Sequence, residues 1–286
     1  MSSEVTSPIP TADRPAGPRF HPAVRLLLML LMFLAAYALA LLVSVPFRLL
    51  GDSEIGGTAQ NVVGCLLVLA FVVIGAGLLM RFVDRRPLRE TGWLWTRSSL
   101  GLLGIGLGIS VVIGVGFALV GRGLGVLEAV EIPWAELTTT AIVLAIIAKL
   151  AQAFALQGIP EELVFRGYLM QTLREHPKVA LLVSTLFFGV IHLVSAGGQQ
   201  NLTERFLYLI WPTGFGFCAA ALVLRLRSLW PAVGIHAGSH VANLIIQFTG
   251  IAVEGPIGWV TVGLLYFLAG GLALIGHQWR PVSLER

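Results

Sequence analysis

Eight apolar segments, each close to the length that crosses a bilayer, constrain the fold of this chain more than any other feature. A spanning helix needs about 20 apolar residues, about twice the length of a barrel strand. Every backbone polar group must be satisfied where no water is present, and a helix does this within one segment. The sequence therefore predicts an all-α, polytopic membrane bundle of about eight transmembrane helices, at residues 24–48, 61–82, 99–121, 140–173, 179–196, 206–224, 230–250 and 257–277.

The composition also indicates a membrane protein. Charged residues make up 12% of the chain and hydrophobic residues 56%, whereas soluble domains carry about twice that charged fraction. We expect an integral membrane protein of a bacterial plasma membrane, with membrane lipids as partners and no nucleic acid. Cys65 and Cys218 both fall in apolar segments, which argues against a disulfide framework or a thiolate zinc site.

Two regions follow from the distribution of polar residues. Residues 1–22 contain four prolines and no apolar period, which predicts a disordered cytoplasmic tail. Residues 23–280 hold all eight apolar segments and predict a single transmembrane helical domain.

Basic residues concentrate in alternate connections between the apolar segments. The positive-inside rule places such connections in the cytoplasm. It therefore predicts cytoplasmic termini and an even number of spans. The basic residues of these connections are Arg14, Arg19, Arg25, Arg81, Arg85, Arg86, Arg89, Arg97, Arg174, Lys178, Arg225, Arg227, Arg280 and Arg286, and the exceptions in the other connections are Arg48, Arg122 and Arg205.

The third apolar segment is rich in glycine. A nucleotide-binding loop would need a preceding strand in a soluble βαβ unit, which this context excludes. Small residues instead allow helices to approach closely, and the GxxxG pair Gly104 and Gly108 predicts such a contact.

Polar side chains on three separate segments lie at one predicted depth. Glu161 is thirteen residues before Arg174, His192 fourteen after Lys178, and His240 thirteen after Arg227. Each separation corresponds to about 20 Å along a continuous α-helix. Ionisable groups are costly inside a membrane and usually have a function there.

Spacing within the segments suggests distinct roles. Glu162 and Arg166 are four residues apart and can pair on one helix face. His236 and His240 have the spacing with which a helix offers two imidazoles to one metal ion. The alternatives are a purely structural ion pair and interhelical hydrogen bonds from the histidines. Pro160 is expected to break the helix before the glutamates, leaving backbone carbonyls that polar neighbours must satisfy.

These segments resemble the CPBP family of intramembrane proteases, also called the CAAX protease and bacteriocin-processing (Abi) family. Glu161, Glu162 and Arg166 match its EExxxR motif, and Phe188 and His192 match FxxxH. In the third motif a histidine is followed four residues later by Asn or Asp. His236 matches that histidine, but His240 stands at the later position.

The resemblance implies peptide hydrolysis in a conical cavity that faces the cytoplasm, with a catalytic core at residues 140–250. Glu161 would be the general base, and Glu162 and Arg166 would orient it. His192 and His236 would bind a metal or water and stabilise the oxyanion. With His240 as a third ligand, the implied cofactor is a divalent metal, zinc, although a metal-free glutamate-protease mechanism is the alternative.

The leading hypothesis is thus an intramembrane metalloendopeptidase that cleaves membrane-associated or lipidated peptide or membrane-protein substrates. The alternative is a non-catalytic membrane scaffold or bacteriocin-immunity-type protein with the same fold. An ion-coupled transporter is a third hypothesis, but it predicts inverted repeats that the sequence does not display.

Overall fold

The protein is a bundle of long helices. The computed structural model describes residues 17–50, 53–132, 134–195 and 197–284, and these contain helices, turns and one isolated β-bridge, Ala129 to Ile251. The first sixteen residues of the predicted tail, 1–22, lie outside the described residues. The helices are α1 Pro22–Phe47, α2 Glu54–Asp84, α3 Ser99–Gly123, α4 Thr139–Thr172, α5 Pro177–Val194, α6 Leu202–Leu226, α7 Trp230–Thr249 and α8 Pro256–Ala273.

The predicted all-α membrane bundle of about eight helices is confirmed. Within the described ranges, seven of these helices are long and apolar enough to cross a membrane. The predicted span at 230–250 corresponds to α7, which is not among the seven. Its polar side chains, including His236 and His240, lower its hydropathy. Every residue from Trp230 to Ser239 is nevertheless buried, because the surrounding helices enclose α7.

Glycines bring α3 and α7 into backbone contact at the centre of the bundle. A Cβ added at Gly106 would overlap the carbonyl oxygen of Pro231 and lie 2.7 Å from the amide nitrogen of Ile235. The predicted GxxxG pair is wrong in detail, since a Cβ at Gly104 or Gly108 would meet no atom within 4 Å. Those two glycines lie about 200° around the helix from Gly106 and face away from α7.

We expect Gly106→Ala to destabilise the bundle by about 1–3 kcal/mol, the usual cost of overpacking. The added methyl group would push against the backbone of α7, which has no flexible side chain there to move aside. Equilibrium unfolding in mixed micelles measures the change. Gly104→Ala is the matched control, with little expected effect. Equal destabilisation by the two substitutions would contradict this account of the contact.

The connections gather at two opposite ends of the bundle, in agreement with the alternation of charge. At one end the amide of Arg19 donates to Val83, and the amide of Val282 donates to Arg174, each at 2.9 Å. We call this the arginine-rich end; it comprises residues 17–21, 85–98, 173–178, 225–229 and 277–284. At the opposite end, the α3–α4 and α7–α8 connections pair through Val130 and Gly250 at 2.6 Å. The cytoplasmic location of the termini stays a prediction.

Candidate functional site

The helix that carries both glutamates changes its winding on either side of them. In α4, π-helical turns at Gln152–Gly158 and Leu163–Leu169 flank one α-helical turn, Ile159–Glu162. The prediction that Pro160 breaks the helix is therefore wrong, because the wider turns accommodate it. Pro160 has no N–H to offer the carbonyl of Leu156. The hydroxyl of Tyr37, on α1, donates to that carbonyl at 2.7 Å, as expected for a freed backbone group inside a membrane.

We expect Tyr37→Phe to destabilise the protein by about 1–3 kcal/mol, the cost of leaving a buried acceptor without a donor. The carbonyl of Leu156 would then lose the side-chain donor that replaces the missing N–H of Pro160. Unfolding in mixed micelles again provides the measurement. Ser44→Ala removes a more exposed hydroxyl from the same helix and is the matched control. An unchanged free energy of unfolding in Tyr37→Phe would show that the hydrogen bond is dispensable.

Glu162 is the centre of a buried polar network that joins three helices. One carboxylate oxygen, Oε1, accepts from Arg166 at 3.1 Å and from Nδ1 of His236, on α7, at 2.9 Å. Arg166 also donates to the carbonyl of Gly216, on α6, at 3.0 Å. Glu162 and Arg166 have no exposed surface. The predicted pairing of Glu162 with Arg166 is thus present, and it also fixes the ring of His236.

Phe188 connects this network to His192. Its ring lies 4.3 Å from the guanidinium carbon of Arg166 and 4.6 Å, centre to centre, from the ring of His192. Nδ1 of His192 lies 2.7 Å from the carbonyl oxygen of Phe188. Because a carbonyl oxygen only accepts, Nδ1 is the donor, and Nε2 of a neutral ring then carries a lone pair. Phe188 therefore packs between the guanidinium group of Arg166 and the ring of His192 and holds their relative positions.

Glu161 points away from the Glu162 network. It is 8% exposed, and its Oε2 atom is buried without a hydrogen-bond partner in the described structure. A buried acceptor atom without a partner is costly and marks a place where water or substrate can supply a donor.

A cavity of about 660 Å³ reaches the histidines from within the bundle. This central cavity is lined by residues of α3 to α8, among them His192, His236 and His240. Neither glutamate is part of the lining. Gln157, one helical turn before Glu161, does line it, and its Oε1 atom is also buried without a partner. The volume lies in the range of small-molecule and peptide pockets.

The predicted metal ligands fit a shared ion only in part. Metal-bound histidines usually donate their second ring nitrogen to a carboxylate or carbonyl, and Nδ1 of His192 and of His236 bond such groups. The ring of His240 stacks on that of His236, with centres 5.6 Å apart. Across the described part of the chain, no three His, Cys, Asp or Glu side chains are placed to hold one ion. The arrangement therefore does not fit the predicted three-histidine site, and zinc binding stays a prediction.

The structure brings most predicted site residues together. Glu162 contacts both Arg166 and His236 directly, and Phe188 places His192 beside them. Sequence analysis missed three contributors: Tyr37, Gln157 and Gly216. Tyr37 is the one tyrosine of the apolar segment 24–48, which was a usable signal, whereas Gln157 is one of three glutamines in the segment 140–173. Gly216 contributes only its carbonyl oxygen, which leaves no signature in sequence.

Comparison with known proteins supports the family resemblance. Residues 140–242 match the model of a family described as Rce1-like, Type II CAAX prenyl endopeptidase. The matched segment contains every motif residue from Glu161 to His240. The match supports the resemblance to the CAAX proteases drawn from the three motifs and, at the family level, a membrane endopeptidase. No curated protein matches the chain significantly.

Proposed function

We propose that this chain is an intramembrane endopeptidase that uses a glutamate to activate water. The observation that carries the proposal is the pairing of Glu162 with both Arg166 and His236 beside a cavity, with the partnerless carboxylate oxygen of Glu161 on the same helical turn. Fixed polar groups of this kind, aimed at one site, are the main source of catalytic power in enzymes.

Glu161 is the proposed general base. It takes a proton from water as the water oxygen attacks the carbonyl carbon of the substrate, and the carbonyl oxygen becomes an oxyanion. When the tetrahedral intermediate collapses, the C–N bond breaks and the proton held by Glu161 passes to the leaving amine. Water is consumed, and no other reactant is needed. The free Oε2 atom is the proposed proton acceptor.

His192 and His236 are proposed to hold the water and the oxyanion. In each ring Nδ1 is engaged by a protein acceptor, so Nε2 is available. A neutral ring accepts a hydrogen bond from water through Nε2, whereas a ring with a second proton donates to the oxyanion. The Glu162 carboxylate, held by Arg166, would balance the positive charge that a second proton gives to the ring of His236.

We expect His236→Asn to lower the cleavage rate by about 10²–10³-fold, the loss typical of removing one oxyanion donor. His240→Asn, its matched partner on the same helix face, should keep most of the activity, because His240 has no hydrogen bond to Glu162 in the described structure. Cleavage rates and metal content of both purified variants are the measurements. Equal losses, together with loss of bound zinc in both variants, would instead support the predicted three-histidine metal site.

Peptide cleavage by the purified full chain in nanodiscs tests the proposed function. The wild type is incubated with a library of membrane-associated peptides, and products are identified by mass spectrometry. We expect internal cleavage that depends on Glu161. Folded wild-type protein that cleaves no faster than its Glu161→Gln variant would overturn the proposal and favour the non-catalytic scaffold.

A further inference from the structure

A glutamine of α4, Gln157, has no role in the mechanism described so far. We propose that Gln157 positions the attacking water: its side-chain oxygen accepts one O–H of the water, while Glu161 accepts the other. Because this role concerns the reacting water, it rests on the proposed function of the chain. Gln157 belongs to none of the three sequence motifs, so the role adds a further residue to the same site.

Two buried oxygen atoms on neighbouring turns of α4 lack a donor. They are Oε1 of Gln157 and Oε2 of Glu161, and neither has a hydrogen-bond partner among the residues that the structure describes. Side chains four residues apart on a helix are neighbours, with Cβ atoms about 5–6 Å apart. Amide and carboxylate oxygens only accept, so these two atoms cannot satisfy each other. A group that offers two donors fits between them.

Water is the smallest group that offers two donors. A water oxygen about 2.7–2.8 Å from each acceptor joins two atoms that are separated by about the distance between neighbouring side chains of a helix. A peptide N–H carries one hydrogen and serves only one of the two oxygens. Buried waters in proteins bond polar groups that are otherwise unsatisfied in this way. The two acceptors therefore define a place for one water molecule.

Gln157 lies between the central cavity and the proposed base. It lines the cavity, and of the α4 residues that do so it is the nearest in sequence to Glu161. The next residue, Gly158, lies against α7: a Cβ added there would be 3.6 Å from the amide nitrogen of Ala237, which follows His236. A water held by Gln157 would therefore lie beside the histidine-bearing turn of α7, within reach of a substrate in the cavity.

Gln157 supplies the second hydrogen bond that the attacking water needs. One O–H points to Oε2 of Glu161, which takes that proton as the water oxygen bonds to the carbonyl carbon of the substrate. The other O–H stays bonded to Oε1 of Gln157, which neither gains nor loses a proton. With both hydrogens held by α4, the lone pairs of the water oxygen are directed away from α4. His192 and His236 are then free to face the oxyanion through Nε2.

Gln157→Met in the purified full chain, assayed in nanodiscs, tests the role. Methionine has a similar length but carries no comparable acceptor. We expect kcat and kcat/KM to fall together by about 10–10²-fold, with KM unchanged, because the lost contact acts on the reacting water and not on substrate binding. Gln278→Met makes the same change at an exposed position of the arginine-rich end. It is the matched control, and its rates are expected to equal those of the wild type.

Two further measurements do not depend on cleavage. The buried oxygen of Gln157 has no partner in the part of the chain that the structure describes, so its removal leaves no protein donor unpaired. We therefore expect Gln157→Met to unfold at or above the wild-type temperature. In an experimental structure that resolves ordered waters, we expect one water within hydrogen-bond distance of both Gln157 and Glu161 in the wild type, and its loss in Gln157→Met.

Three results would overturn the role of Gln157 and leave the endopeptidase proposal standing: wild-type rates in Gln157→Met, a rise in KM with kcat unchanged, or no shared water in the wild-type structure. A rise in KM alone would show that Gln157 binds the substrate backbone. If Gln157→Met does not fold, Gln157→Ala removes the same oxygen and takes its place. A wild type that cleaves no faster than Glu161→Gln would overturn the endopeptidase proposal, and the role of Gln157 with it.

Discussion

Glu161→Gln is expected to lower the rate of peptide cleavage by about 10²–10⁴-fold, the usual contribution of a general base, while the protein still folds. The substitution keeps the size of the side chain but replaces the carboxylate, which can accept and return a proton, with an amide, which cannot. Glu161 has no ion-pair partner within the described structure, so its neutral replacement leaves no opposite charge unpaired. Cleavage of a membrane peptide in nanodiscs is the measurement.

Glu175→Gln is the matched control for this substitution. Glu175 is exposed and lies at the arginine-rich end, where its ion pair with Arg174 is also exposed. We expect its cleavage rate to equal that of the wild type. If Glu161→Gln also retained the wild-type rate, the base would have to be another group, and the mechanism proposed for Glu161 would be wrong.

Arg166→Met is expected to destabilise the protein by about 3–5 kcal/mol, the cost of leaving a buried charge without its partner. Arg166 lies within the bundle with no exposed surface and supports the carboxylate of Glu162. It also donates to Gly216 and lies against the ring of Phe188. Methionine fills much of the same volume but offers no donor. Equilibrium unfolding in mixed micelles measures the loss.

A double substitution separates folding from catalysis at this position. Glu162→Gln combined with Arg166→Met removes both charges, and we expect it to recover most of the lost stability without recovering cleavage. Arg174→Met serves as the surface control, because exposed ion pairs contribute about 0–1 kcal/mol. If Arg166→Met were as stable as the wild type, the buried network would not support the fold.

The spacing of the motif residues allowed much of the site to be predicted. Contacts between residues four apart in a helix follow from helix geometry alone, so the pairing of Glu162 with Arg166 could be predicted. Contacts between helices are different. The hydrogen bond from His236 to Glu162 depends on how α7 packs against α4, and the role of Tyr37 depends on the position of α1.

The sequence by itself determined the helical membrane bundle, the approximate position of each long helix, the alternation of charge and most residues of the candidate site, because hydropathy and motif spacing are properties of one segment at a time. The tertiary structure decided which glycines meet, how α4 winds past Pro160, and which helices line the central cavity. Those features depend on the rotation and packing of helices that are distant in sequence. For the same reason, the stacked rings of His236 and His240 differ from the converging ligands that their spacing predicted.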